Sequence, residues 1–387
     1  MGTGLDGKMI VVAPNTFKGA LAAPVVAAAV ARGVRAVLPG SKVKEIPLAD
    51  GGDGTTDCIV RATGGRLYHK IVTGPLGDPV EGAWGITGDG STAVVEVASA
   101  SGMASLPRER LDPLRATSYG TGELINAALG SGCRRLFLGL GGSATSDAGA
   151  GILQALGVAL LDEKGVQIGR GAAALGSLSK ISLPRSLPRL RGVELVLGFD
   201  VDNPLYGPAG AAYIYAPQKG ASPEQLPLLD QNLRRFAAVV EGDLGTRVSS
   251  MPGGGAAGGI GAGLAGVLGA KLVPGVEEIM NIVGLPALFE KGRVGLVITG
   301  EGEINAQSLY GKVPVGVSRL ARRYRVPVLV LAGALKLELE AAQGEGITTM
   351  LAIADGPLTL EQSMARTEEL LEKTARRAME LLRIGLG

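Results

Sequence analysis

Glycine is gathered in this chain, and its gathering restricts the fold more than any other feature. Four stretches stand out: Leu48–Thr56 (LADGGDGTT), Leu138–Gly151 (LGLGGSATSDAGAG), Pro252–Gly263 (PGGGAAGGIGAG) and Ile298–Gln307 (ITGEGEINAQ). They hold much of the excess in a chain with 62 glycines in 387 residues, about twice the ~7% usage of an ordinary globular protein. Most of them also carry carboxylates, amides or hydroxyls. Without a Cβ, successive N–H groups can approach a ligand closely or converge on an anion. The pattern points to a ligand whose phosphates are held largely by main chain.

The bulk numbers exclude several other readings. The length fits roughly two or three domains, and 46% apolar residues are ample for their cores. Thirty-eight basic residues against 36 acidic ones give a net charge of +2 with no long run of either sign. That balance offers no footprint for nucleic acid or an acidic membrane surface. Aromatics are only 3%, too few for base-stacking platforms. Cys58 and Cys133 make no metal-binding pattern and read as a reduced pair. No apolar run approaches the ~18 residues of a membrane span, so a cytoplasmic protein is expected.

Along the chain, Lys8–Val12 reads as a strand. A helix follows with Pro24 in its first turn, a stripe of Val26, Val30 and Val37, and a stop at Pro39-Gly40. Val43–Pro47 is a second strand, so Asn15, Thr16, Lys18 and Asp50 lie just beyond strand ends, where open α/β sheets bind ligands. From Leu67 to Ala98, alternating stretches separated by turns read as antiparallel strands. The β/α rhythm returns at Val294–Thr299, and Thr359 with Gln362 has the spacing of a capping box. Leu371, Ala375, Ala378 and Leu382 give the last helix its apolar stripe. The expected fold is α/β with two domains. A parallel-sheet domain is built from both termini (1–70 and 276–387), and a mixed α/β domain is inserted at 71–275.

The loop Gly139–Gly151 lies between a strand and a helix, the context of a phosphate-binding loop. Gly139–Ala144 also matches the dinucleotide spacing G-x-G-x-x-[GA], as does Gly2–Gly7 with no strand before it. No G-x-x-x-x-G-K-[ST] occurs. Phosphoryl transfer needs positive charge on the phosphates, a metal held by carboxylates, and a group that orients the attacking hydroxyl. Candidates are Lys18, the acids Asp50 and Asp53 around Gly51-Gly52, the pair Asp200 and Asp202, and Glu301. Ser143, Thr145 and Asp147 add polar groups to the loop. His69 is the single histidine, so histidine triads and zinc sites are excluded. Its place among alternating residues reads as structural.

Seven motifs in order resemble the bacterial type-1 glycerate kinase family. They are Ala13–Gly19, Ala49–Thr55, Gly141–Gly151, Asp200–Leu205, Pro217–Ala221, Pro252–Gly263, and Ile298–Gly302 with Gly311-Lys312. The resemblance implies transfer of the ATP γ-phosphoryl group to a hydroxyl of D-glycerate, giving 2-phosphoglycerate, with Mg²⁺. It also implies a Rossmann- or flavodoxin-like domain carrying an inserted mixed α/β domain. On this reading Lys18, Asp50 and Asp200 are catalytic, and Asp50, Asp200 and Glu301 are metal ligands. Gly51, Gly52, Gly141, Gly142, Ser143, Thr145, Asp147, Asp202, Asn203 and Lys312 bind substrate or phosphate. The partners are glycerate and ATP, and a homodimer is the expected assembly. Asn15, Asp53, Ser146, Glu303 and Asn305 depart from the family pattern. The rival readings are a catalytically weakened kinase-like metabolite-binding protein, and an NAD-dependent hydroxy-acid oxidoreductase using Gly139–Ala144.

Overall fold

The computed structural model describes residues 7–184 and 190–385. The dinucleotide-like match at Gly2–Gly7 therefore lies outside the described residues except for Gly7. The chain forms two compact units: one runs to Asp50 and resumes at Val276, and the other is Gly51–Gly275.

The first unit is built on a parallel sheet ordered Lys42–Glu45, Met9–Val12, Val294–Ile304, Val328–Leu335, Thr349–Ala352. Numbered within the unit this is 2-1-3-4-5, the flavodoxin-like order. From Met9–Val12 the chain moves towards one edge, and from Val294–Ile304 towards the other. The switch point therefore falls between these two strands, and their C-terminal ends carry Asn15–Lys18 and Glu301.

Helix Ala23–Val37 starts with proline in its first turn, where a missing N–H leaves nothing unpaired. Its Val26, Val30, Val34 and Val37 are buried with Leu370, Leu371, Ala375, Ala378 and Met379 of the helix Thr367–Gly385. Leu382, expected in that stripe, is 38% exposed, so the buried face ends a turn earlier. The capping box is present: Gln362 N–H donates to Thr359 Oγ1 at 3.2 Å, and Thr359 N–H to Gln362 Oε1 at 3.0 Å.

The second unit holds a mixed sheet ordered Arg66–Thr73, Pro79–Ile86, Thr92–Glu96, Arg135–Gly139, Glu194–Phe199, Lys271–Pro274. The first three strands run antiparallel and the last four parallel. Thr92–Glu96 is buried at every position, as a central strand covered on both faces must be. At the edge, His69 is exposed with its Nδ1 3.7 Å from Glu81. Residues 51–70, expected in the first domain, belong to the second unit. The physical reason is the helix Thr55–Thr63, whose Val60 packs so close to Gly85 that a Cβ there would meet it at 2.3 Å.

Candidate functional site

In the first unit, the strand Met9–Val12 does not simply end. Ala13 N–H and Asn15 N–H continue the ladder to the carbonyls of Ile298 and Gly300, both at 2.8 Å. On the other side Leu48 N–H reaches the Pro14 carbonyl at 2.9 Å, which brings the Leu48–Asp50 segment alongside. Asn15 is buried and donates through Nδ2 to Asp50 Oδ2 at 3.4 Å. Glu301 is buried too, and its Oε1 accepts from Ser308 Oγ at 2.7 Å. Burial pushes the Glu301 carboxyl above its ordinary range and the Asp50 charge adds to this, while the Ser308 hydroxyl and the Lys312 charge oppose. Asp50, Glu301, Asn15 and Lys312 thus share one electrostatic neighbourhood. Lys18 is exposed in the turn closed by the Phe17–Leu21 bridge.

Two departures from the family pattern have local partners. Glu303 Oε2 pairs with Lys336 at 2.7 Å, and its Oε1 accepts from Asn305 Nδ2 at 2.8 Å. Asn305 caps the turn Ala306–Tyr310, accepting from Gln307 N–H at 2.9 Å. Neither side chain is left without a structural role.

In the second unit the glycines around residue 140 serve packing before binding. Gly141 N–H donates to the Gly51 carbonyl at 2.9 Å, and a Cβ on Gly141 would lie 2.6 Å from Gly52 Cα. Gly51, Gly52 and Gly141, expected as phosphate contacts, are thus two backbones pressed together. The Pro252–Gly263 cluster does the same from another side. Gly258 has φ +69°, and a Cβ there would stand 2.0 Å from the Thr145 carbonyl oxygen. Gly258→Ala should therefore cost about 2–4 kcal/mol of stability through overpacking and left-handed strain, read from denaturant unfolding. A loss below 1 kcal/mol would overturn this packing argument.

Asp147 is a correction. It is fully buried, and its carboxylate accepts from Ser118 N–H and Oγ, both at 2.9 Å, Gly149 N–H at 3.1 Å and Gly151 N–H at 3.2 Å. It occupies the start of the helix Ala150–Ala155 that a dinucleotide loop would aim at its pyrophosphate. Asp147 is a structural clasp, and the oxidoreductase reading loses its footing with it.

What remains for an anion is the loop Gly142–Ser146. Among the described residues, the N–H groups of Gly142, Ser143, Thr145 and Ser146 reach no protein acceptor. The buried hydroxyls of Thr145 and Ser146 also lack a protein partner. Ser143 Oγ accepts from Lys219 Nζ at 2.9 Å, and the Thr145 carbonyl accepts from the same ammonium at 2.6 Å. This is a set of unpaired donors on one loop beside a buried lysine.

The adjacent strand brings acids to the same end of the sheet. Leu140 N–H donates to the Gly198 carbonyl at 3.2 Å, and two residues later Asp200 is exposed, as is Asp202. Both lie close enough to Tyr215 to help burial push its phenol up to about 12, so that hydroxyl stays protonated and donates to Asn203 Oδ1. Asn203 Nδ2 donates to the Ala209 carbonyl at 2.8 Å, so this amide, expected to bind substrate, is engaged in its own loop.

Two groups in this unit escaped the sequence reading. Lys219 stands in the quoted Pro217–Ala221 motif, but nothing local signals its burial. Glu96 is buried at the end of an apolar strand and accepts from Gly54 N–H at 3.2 Å and Thr56 N–H at 2.9 Å. It thereby caps the Thr55–Thr63 helix beside Asp53.

Among the described residues no three His, Cys, Asp or Glu side chains gather as a metal cluster, and no helix is long and apolar enough to cross a membrane. The family model described as the glycerate kinase family matches residues 10–383. A glycerate kinase from Bacillus subtilis (strain 168) is 44% identical over 95% of this chain and 96% of its own. The glycerate 2-kinase of Escherichia coli (strain K12) is 42% identical over 97% of this chain and 98% of its own. A crystal structure described as glycerate kinase 2 from Salmonella typhimurium LT2 superposes with a TM-score of 0.87. It has 41% identity and covers 98% of this chain and 99% of its own.

Proposed function

We propose, because the chain belongs to the glycerate kinase family, that it transfers the γ-phosphoryl group of ATP to a hydroxyl of D-glycerate. The observation that carries this reading is the near-complete match at over 40% identity to glycerate kinases. The 2-hydroxyl is the proposed acceptor, supported by the similarity to the glycerate 2-kinase of Escherichia coli.

In this reading the N–H groups of Gly142, Ser143, Thr145 and Ser146 and the Ser143 hydroxyl hold phosphate oxygens. Asp200, at the same end of the sheet, takes the proton of the glycerate hydroxyl as its oxygen attacks the γ-phosphorus. Lys18 and Lys312 supply positive charge near Asp50 and Glu301. Those two acids would hold Mg²⁺. They fit it because they are hard oxygen donors whose charges act on one another, the Asp50 charge helping to raise the Glu301 carboxyl. Such a cation commonly takes only one or two protein carboxylates and fills its shell with water and substrate phosphate. When bound, it neutralises charge on the phosphate oxygens.

A coupled ADP-release assay with D-glycerate, ATP and Mg²⁺ tests the activity, and ³¹P NMR of the product tells C2 from C3. Binding without turnover would favour the weakened metabolite-binding reading. The partners of Glu303 and Asn305 weigh against it, because these departures are absorbed locally. Asp200→Asn should lower kcat by about 10²–10⁴-fold with KM little changed. A variant of near-normal kcat would remove Asp200 from the base role.

A further inference from the structure

Lys219 is 2% exposed, and among the described residues no carboxylate bonds to it. Its ammonium has three N–H groups, and the protein accepts two of them, through neutral oxygens. Asp147 is the one charged group among the described residues that acts on it, and that carboxylate is already filled by Ser118, Gly149 and Gly151. A buried amine with so little compensation is costly to keep charged. The side chain nonetheless lies against a loop in which, among the described residues, the Gly142, Ser143, Thr145 and Ser146 N–H groups reach no protein acceptor.

We propose that Lys219 is the positioning residue of the Gly142–Ser146 loop, aiming its donors at a phosphate and supplying the buried positive charge that balances it. The proposal rests on the phosphate-loop reading above. Two geometric consequences carry it. An N–H occupying one lone pair of Ser143 Oγ directs that hydroxyl's own proton elsewhere, as a donor. A trans peptide points its C=O and N–H in opposite directions, so drawing the Thr145 carbonyl towards Lys219 turns the Ser146 N–H away from it. That N–H is among those with no protein acceptor.

Burial pushes the Lys219 ammonium down to about 7, with the Asp147 charge opposing. Without ligand, the side chain is therefore mostly neutral at pH 8. An arriving phosphate stabilises the charged form, so binding takes up a proton.

The test is calorimetry of ADP binding at pH 8 in buffers of different ionisation enthalpy, where the ADP phosphates no longer titrate. Wild type should take up a substantial fraction of a proton. Lys219→Met should bind ADP at least tenfold more weakly, with no proton uptake and with glycerate affinity within twofold of wild type. Unchanged ADP affinity in that variant, or no proton uptake by wild type, overturns the proposal. Ser143→Ala separates the two readings. If it weakens ADP binding while Lys219→Met does not, only the lysine assignment fails. If neither variant has an effect, the phosphate-loop reading fails with it. Should Lys219→Met not fold, wild-type proton uptake decides alone.

Discussion

Asp147→Ala is expected to lower the stability of the protein by about 3–5 kcal/mol, among the larger losses a single substitution produces. The carboxylate is fully buried and takes donors from Ser118 and from the N–H groups of Gly149 and Gly151. Removing it strands these donors in a dry interior, at about 1–3 kcal/mol each where water cannot enter. It also opens the seam between the loop and the helix Tyr119–Leu129, whose first residues Ser118 flanks. In a unit of this size the loss corresponds to a Tm lower by about 6–20 °C, at about 2–4 °C per kcal/mol.

Hydrogen exchange should accelerate at residues 149–152 before the rest of the sheet. A variant within 1 kcal/mol of wild type would return Asp147 to the candidate ligands. The pH dependence has a definite sign. Burial raises the folded carboxyl above its ordinary value of 3.8, so the folded state holds the proton more tightly than the unfolded one. The contribution of this group to stability is full below the ordinary value and falls as pH rises towards the elevated one. Asp147→Asn should flatten that part of the stability profile.

Asp50→Asn is expected to lower kcat by about 10²–10³-fold and to shift the Mg²⁺ concentration at half-maximal rate upward by tenfold or more. Asp50 is half-buried, it receives the Asn15 amide at 3.4 Å, and its charge is one of the influences raising Glu301. Losing that charge halves the anionic pair proposed to hold the cation. The neutral isostere preserves shape, so the thermal midpoint should stay within a few degrees of wild type. The same loss of repulsion lets the Glu301 carboxyl move down towards its ordinary range. Wild-type turnover with an unshifted Mg²⁺ titration would take Asp50 out of the metal set and leave Glu301 without its proposed partner.

These two acids look alike in the sequence, each a carboxylate in a glycine-rich stretch, yet they have opposite fates. Strand and helix alternation, the proline in a first turn and the capping box at Thr359 are short-range properties. Rotamer sterics, hydrogen-bond spacing and periodic burial act over a few residues, so the elements could be read directly. The ordered motifs from Ala13 to Lys312 carried the family and its reaction in the same way. The long helix Leu226–Leu244 went unread, although its Leu229, Leu233, Phe236 and Val240 form a buried stripe at helical spacing.

Which polar groups are free to meet a ligand was not written locally. Asp147 meets Ser118 from 29 residues away, and Lys219 meets Ser143 across 76. Whether a carboxylate faces solvent or a ring of donors depends on what the fold packs around it, and hydration is a property of that whole environment. The glycine clusters divide on the same ground. Gly258 and Gly141 are small because another backbone lies where a side chain would be, whereas Gly142, Ser143, Thr145 and Ser146 keep their N–H groups for something else. Sequence alone settled the alternation of elements, the family and the class of reaction. The tertiary structure sorted its glycines and acids into scaffold and site, because burial and hydrogen-bond satisfaction come from contacts far apart in the chain.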